Sequence, residues 1–380
     1  MAGERLEKVL SQYRKQYRKK SRKERSGVLD EFCRLTGYHR KYAIALLRRL
    51  TDEPATSSLR RRGPTYSAQA IEVLERVWDA AGYPWSQRLK ALLPLWLPWA
   101  RKHVPQCTPA VEMQLLRMSA RQMDRRLGER KRKLKRCLYG RTKPGTLLKH
   151  HIPIKTDNWD VKEPGYCEID LVSHSGPNAS GEFIFSLNLT DIHTGWCETR
   201  AIIGKGEAGV VAALDEIRSC LPFALKAIDS DNGSEFINYH LLRYCEKHGI
   251  AFTRGRPNKK DDNAHIEQKN WTHVRRIFGW DRYETREQLD AMNALYRGEL
   301  RTMMNLFQPC VKLIKKERVG SKLHRRYDQA KTPLDRLLQA CQTTPVITGL
   351  LKQRDVTDPF TLAKQIEQQL ERLEKQRRQS

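Results

Sequence analysis

The sequence predicts an α/β core built on a five-stranded mixed sheet, behind all-α amino-terminal units and ahead of a small carboxy-terminal segment. Three observations predict it. First, charge is uneven. Residues 1–150 carry 36 Lys+Arg against 13 Asp+Glu, net +23, whereas residues 151–280 are net −3 and residues 281–380 net +7, within a total of +27. Second, the hydrophobic pattern is helical up to about residue 140 and turns strand-like from Gly165. Third, three strands in a meander are followed by helix, strand, helix, strand, helix, an order that makes a mixed sheet.

Composition removes several classes. Thirty aromatic residues and recurrent apolar runs exclude a wholly disordered chain. The most apolar stretch, Ala91–Ala100, is too short to span a bilayer and holds two prolines. The first 25 residues are basic and polar, so no signal peptide is expected. Nine dispersed cysteines without a CxxC pair argue against a zinc ribbon and a disulfide framework, and fit a reducing cytoplasm. The net charge points to a polyanion, most simply nucleic acid.

The elements follow in order. Residues 1–25 are expected as a basic helix or arm. Val28, Leu29, Phe32 and Leu35 have helical spacing, Gly37 is a stop, and Tyr38–Tyr42 opens a second helix containing Ala43, Leu46 and Leu47. That is the helix-turn-helix pattern, assigned to a domain of residues 1–55, with Arg40 and Lys41 as DNA contacts. An ordinary helical hairpin is the alternative. Thr51–Thr65 is a polar linker. Residues 56–140 are expected as a second helical DNA-binding domain. Its core is Ser67–Val104, and a recognition helix is capped by Ser119 and carries Arg121, Arg125 and Arg126. The run Arg130–Arg136 is expected to track phosphates. Residues 141–164 form a linker.

Residues 165–308 form the predicted core. Strands are expected over Tyr166–Val172, Glu182–Leu189, Trp196–Ile203, Ala224–Ile228 and Ile250–Thr253. Helices are expected over Glu207–Cys220, Glu235–His248, Asn263–Phe278 and Arg286–Phe307. Residues 309–380 hold a basic segment, Gly320–Tyr327, and a last helix, Pro359–Arg378. Its stripe of Leu362, Ile366, Leu370 and Leu373 is expected to dock on the protein itself.

Three carboxylates stand out. Asp170 lies inside an apolar strand, where a carboxylate is expensive without a compensating cation. Glu168 lies two residues back on the same strand face, and either could be the functional acid. Asp231, in Asp229-Ser230-Asp231-Asn232-Gly233-Ser234-Glu235-Phe236, follows a strand at the sheet edge where open α/β sheets keep their sites. Glu267 sits on a predicted helix, with 35 residues between it and Asp231.

A strand Asp, a strand-end Asp-Asn-Gly and a helix Glu at this spacing resemble the D,D-35-E signature of retroviral integrases and DDE transposases. The flanking Arg256-Pro257, Asn263 and Asn270 fit the same pattern. The resemblance covers about Gly165–Trp280 and implies an RNase H-like fold. It implies that Asp170, Asp231 and Glu267 hold two Mg²⁺ (or Mn²⁺) ions, hard ions suited to oxygen donors. It also implies phosphodiester cleavage at an element end, then attack of the freed 3′-OH on target DNA, with no covalent protein–DNA intermediate. The helix-turn-helix units resemble those of bacterial insertion-sequence transposases. The implied partners are double-stranded DNA, as element ends and target, and further copies of the chain in a homodimer or larger synaptic complex. The implied location is the bacterial cytoplasm, at the nucleoid, with no membrane association.

Around the acids, Arg254–Asp262 resembles the active-site loop of integrases, with Arg256, Lys259 and Lys260 as candidate phosphate contacts. Asn270 and Arg275, on the Glu267 helix, are further DNA-contact candidates. Integrases often carry Lys on this helix one and two turns on, where this chain has Trp271 and Val274. Trp271 and Trp280 are expected to pack. A zinc deaminase is set aside, because His265-Ile266-Glu267 lacks a Pro-Cys-x-x-Cys partner. Two alternatives share these residues: a DNA-binding regulator with a silent core, and a nuclease that cleaves without strand transfer.

Overall fold

The computed structural model describes residues 2–21, 23–48, 66–134, 161–230, 239–254, 264–319 and 322–379. The chain divides into two compact units, residues 1–65 and 66–380.

The first unit holds α1 (Ala2–Lys19), α2 (Arg25–Thr36) and α3 (Arg40–Arg48). Val28, Leu29 and Phe32 of α2 close on Ala43 and Leu47 of α3 and on Tyr17 of α1. Gly37 ends α2 at φ 70°, a conformation glycine adopts without Cβ strain, and its N–H donates to the Cys33 carbonyl at 2.8 Å. Leu35, expected in the apolar stripe, is exposed.

The second unit opens with α4 (Ala68–Ala80), α5 (Ser86–His103), α6 (Pro109–Arg117) and α7 (Ala120–Leu134). The helical core expected over Ser67–Val104 is two helices, separated where Gly82 and Tyr83 adopt positive φ of 70° and 58°. Ser119 caps α7, its Oγ accepting the Gln122 N–H at 3.3 Å.

The sheet contains β1 (Tyr166–Ser173), β2 (Ile184–Asp191), β3 (Cys197–Ile203), β4 (Ala227–Ser230) and β5 (Ala251–Arg254). Helix α8 (Glu207–Cys220) precedes β4 and α9 (Tyr239–Lys247) precedes β5. The strand order is β3-β2-β1-β4-β5. β1 is antiparallel to β2 and parallel to β4, and β5 is parallel to β4, so the five-stranded mixed sheet expected from the sequence is present. Then come α10 (Ala264–Lys269), a π-helical turn over Asn270–Arg275, α11 (Arg276–Phe278), α12 (Arg286–Arg297), α13 (Glu299–Thr302) and a second π-helical stretch over Met303–Phe307. The expected continuous helix Arg286–Phe307 is interrupted at Gly298, where a Cβ would sit 3.1 Å from the Ala294 carbonyl. A two-stranded sheet of β6 (Leu313–Val319) and β7 (Lys322–Tyr327) follows, with α14 (Pro333–Ala340), α15 (Pro345–Val356) and α16 (Pro359–Gln379).

Alternation along β1 decides what each sheet face meets. Cys167 and Ile169 join the core made with α8 and α9. Glu168 and Asp170 belong to the other face, and α10 packs on β1 and β2. The borders expected at residues 140 and 308 are crossed by one core. Trp96 and Leu97 of α5 pack with Leu306, Phe307, Leu334, Ile347 and Leu362. A Trp/Leu-rich helix needs an apolar partner, and α5 finds it in the carboxy-terminal helices. The stripe of α16 is covered in the same way: Leu362 and Leu373 are buried, and Ile366 and Leu370 pack beside them.

Candidate active site

The parallel register of β1 and β4 sets the site. Tyr166 faces Ala227 and Ile169 faces Ser230, so the chain step after this last pair reaches Asp170 on one strand. On the other strand the next residue in sequence is Asp231, which lies outside the described residues. Glu267 belongs to α10, between Ile266 and Asn270, and its side chain is likewise outside the described set. Arg256, Lys259 and Lys260 fall outside it too. Among the described residues no group of three His, Cys, Asp or Glu side chains could hold a metal ion.

Two contacts tie α10 and its π-turn to β1. Glu168, fully buried, accepts the backbone N–H of Ile266 at 2.9 Å through Oε2. A carboxylate in the first turn of a helix satisfies one of its orphan N–H groups and favours the positive end of the dipole. Glu168 therefore anchors the start of α10. Asp170 is half-buried, and the Asn270 amide donates to its Oδ2 at 2.5 Å. Its Oδ1 accepts the N–H of Leu171 at 2.8 Å.

The Asn270 contact continues inward. Asn188, buried on β2 opposite Asp170 in register, donates to Asn270 Oδ1 at 2.8 Å. Asn188 Oδ1 in turn accepts from Cys197 Sγ at 2.8 Å and Thr199 Oγ1 at 3.2 Å. This chain of hydrogen bonds holds one Asp170 oxygen in a fixed direction. The π-turn beginning at Asn270 widens the helix where its side chain must reach β1. Asn188 is not among the residues expected from the sequence, although an Asn between Leu187 and Leu189 in an apolar strand is a signal of a buried polar contact.

The remaining sequence candidates divide. Arg121, Arg125 and Arg126 are exposed on α7, and Lys41 on α3. Arg40 instead binds Asp30 and, at 2.6 Å, Ser26 Oγ, which ties α3 to α2. Asn270 turns to Asp170. The Arg275 guanidinium lies over the Trp280 ring at 4.0 Å. Its pKa is lowered by burial, with Asp170 and Tyr296 pulling it back up. Trp271, expected to pack, is 44% exposed.

Behind the site, His174 is buried with its Nε2 2.8 Å from Ser186 Oγ, which lies 2.7 Å from the Tyr296 hydroxyl. Burial, and next the Arg275 charge, push its pKa down to about 3, so it is neutral at pH 7. At the far end of β3, Glu198 and Arg200 are both buried; Arg301 donates to Glu198 Oε1 at 2.6 Å, and Trp196 Nε1 to the same oxygen at 2.9 Å.

No protein-family model matches the chain. Among solved structures, it is similar to the HTLV-2 integrase catalytic core domain in complex with magnesium, dimeric form. That match has 14% identity and a TM-score of 0.29, and covers 39% of this chain and 91% of the other. It is also similar to the catalytic core domain of BIV integrase, at 16% identity and a TM-score of 0.28, covering 46% of this chain and 94% of the other. In sequence it is 36% identical over 335 residues to the uncharacterized protein y4rM of Sinorhizobium fredii, across 88% of this chain and 94% of that protein. The chain therefore belongs to the same family as y4rM of Sinorhizobium fredii.

Proposed function

We propose that this protein is a DDE transposase, a metal-dependent polynucleotidyl transferase acting on double-stranded DNA, with Asp170, Asp231 and Glu267 as its acids. One observation carries the reading. The described β1–β4 register runs up to Ile169 and Ser230, the residues bonded to Asp170 and Asp231, while Glu168 and Asn270 bind α10 and its π-turn to β1 on either side of Glu267. Two distant segments of sequence meet the strand that carries the first acid. The strand order β3-β2-β1-β4-β5, with only β2 antiparallel to both its neighbours, accords with an RNase H-like core.

The donor set fits the ions. Three carboxylates offer only oxygens, which suits Mg²⁺ or Mn²⁺ rather than a softer metal. Bound there, such ions would lower the pKa of an attacking water or 3′-hydroxyl and neutralise charge on the leaving oxygen. Asp170, Asp231 and Glu267 would hold them. Glu168, committed to the Ile266 N–H, is the anchor and Asp170 the ligand. The Asn188–Asn270 pair orients the Asp170 carboxylate. Exposed Arg121, Arg125 and Arg126 of α7, and Lys41 of α3, supply DNA contacts, as do Arg256, Lys259 and Lys260. Strand transfer joins two element ends to one target, so a dimer or larger assembly is part of this reading, as is a site of action on the bacterial nucleoid.

The test is a strand-transfer assay. It uses the full chain, labelled fragments from DNA flanking its coding region, a supercoiled target and Mg²⁺. Joint molecules that disappear with chelation and in Asp170→Asn are expected. Nicks without joining would make it a nuclease, and metal-independent binding with neither product would make it a regulator.

A further inference from the structure

We infer that the β6–β7 ribbon is a second duplex-DNA grip, working beside α7. The inference rests on the DNA-directed reading above and extends it to a segment outside the sheet and the amino-terminal helices.

Three observations point there. The first is composition. Residues 312–327 hold seven Lys/Arg and one acid, Glu317. The nearby Asp328 is consumed at the base of the ribbon, where its carboxylate accepts the Lys312 N–H at 2.6 Å and pairs with Arg336 at 2.6 Å. It does not neutralise the strands.

The second is register. Lys315 stands opposite Arg326, and Lys316 opposite Arg325. Like charges at directly opposed register positions disfavour a ribbon. Two successive register pairs are basic on both strands. A polyanion lying along the ribbon meets a basic residue at each of these four register positions. A two-stranded ribbon, with its strands about 4.8 Å apart, is also an element that the duplex major groove, about 12 Å wide, admits. That favours double-stranded DNA over a single strand or the deep, narrow major groove of duplex RNA.

The third is position. The start of α5 touches both basic elements. The Trp85 ring meets Tyr327 of β7 edge-on at 6.4 Å, and Ser86 Oγ donates to Asp124 of α7 at 2.6 Å. The exposed Arg121, Arg125 and Arg126 of α7 thus share a neighbour with the ribbon. The base is held firmly: Lys312 Nζ donates to the His193 carbonyl in the β2–β3 turn at 2.8 Å. Described ribbon residues are solvent-facing, with Ile314 61% exposed and Glu317, His324, Arg326 and Tyr327 exposed as well.

The test measures binding of the full chain to a 30-base-pair fluorescent duplex by anisotropy, without divalent metal, from 50 to 300 mM KCl. The variant is Lys315→Gln/Lys316→Gln/Arg325→Gln/Arg326→Gln. Its affinity at 150 mM salt is expected to fall at least about tenfold. The slope of log K against log salt is expected to shrink by about 0.9 for each phosphate contact removed, so by up to about 3.6. Its melting temperature without DNA is expected to stay unchanged. If the fourfold variant fails to fold, Lys315→Gln/Arg326→Gln alone is used, with a slope change of up to about 1.8. An unchanged slope and affinity would overturn the inference, as would preferential competition by single-stranded DNA or duplex RNA. Asp170→Asn runs in parallel. If ribbon variants lose binding while Asp170→Asn keeps strand transfer, the ribbon stands and the metal reading falls; the reverse pattern removes the ribbon alone.

Discussion

Replacing Asn270 by Ala separates two roles for this residue, contact with DNA and orientation of Asp170. The substitution removes a short hydrogen bond, 2.5 Å, from an amide to a carboxylate. Hydrogen bonds to a charged partner contribute about 1.5–3 kcal/mol. It also strands the Nδ2 of Asn188, which is fully buried and donates to Asn270 at 2.8 Å. An unpaired buried donor costs about 1–3 kcal/mol of stability. If the bond holds Asp170 for the reacting ions, the first loss converts, at about 1.4 kcal/mol per decade, to roughly a 10- to 150-fold drop in strand transfer. Loss of an outer partner of a metal ligand also raises the metal requirement, about 10- to 100-fold. The assay is strand-transfer rate against Mg²⁺ concentration at saturating DNA, with DNA affinity measured separately in EDTA. Asn188→Ala is expected to act in the same direction but more weakly, and the double variant to fall well short of the product of the two. If Asn270→Ala kept its rate and its Mg²⁺ half-saturation within twofold while DNA affinity fell, the orienting role would be refuted and Asn270 would be a DNA contact.

Two further outcomes follow from the same geometry. His174, with a folded pKa of about 3 against an ordinary 6.5, leaves the unfolded chain binding a proton that the folded chain refuses; its contribution is complete above pH 6.5 and is lost as pH falls toward 3. Urea unfolding between pH 6 and pH 4 should therefore show a slope of about 1.4 kcal/mol per pH unit that disappears in His174→Phe, and an identical slope in both proteins would count against it. Gly165, at φ 112° with a hypothetical Cβ that would collide with the Ala224 carbonyl, should lose about 2–3 kcal/mol on replacement by Ala, read as a lower urea midpoint at unchanged m. A loss below about 0.5 kcal/mol would mean that the start of β1 relaxes freely.

Much of the core is legible from local pattern. Helix α8 begins and ends where the residues predict, Glu207–Cys220, because its apolar spacing is uninterrupted. β1 begins at Tyr166, directly after Gly165, whose φ of 112° few other residues tolerate. The α2–α3 turn is readable from Gly37 for the same reason. Other elements leave no such trace. β7 falls within the expected basic segment Gly320–Tyr327 and β6 within no expected element, because strands rich in Lys and Arg show no apolar alternation. The break at Gly298 lies inside a run with apolar residues on both sides, Leu295 and Tyr296 before it and Leu300 and Met303 after it. Trp271 looks like core by composition, yet the fold leaves it exposed.

The sequence by itself determined which acids are present, their spacing, the β-rich character of residues 165–254 and the concentration of positive charge before residue 150. Those features are local, set by residue type and short-range period. Tertiary structure alone gives Glu168 and Asp170 different partners: the two share a strand face, and only the docking of α10 brings the Ile266 N–H to Glu168 and Asn270 to Asp170. It also decided that α5 shares a core with the carboxy-terminal helices. These choices join residues about a hundred or more positions apart. They follow from which buried polar groups and apolar faces find partners, and no local period encodes that.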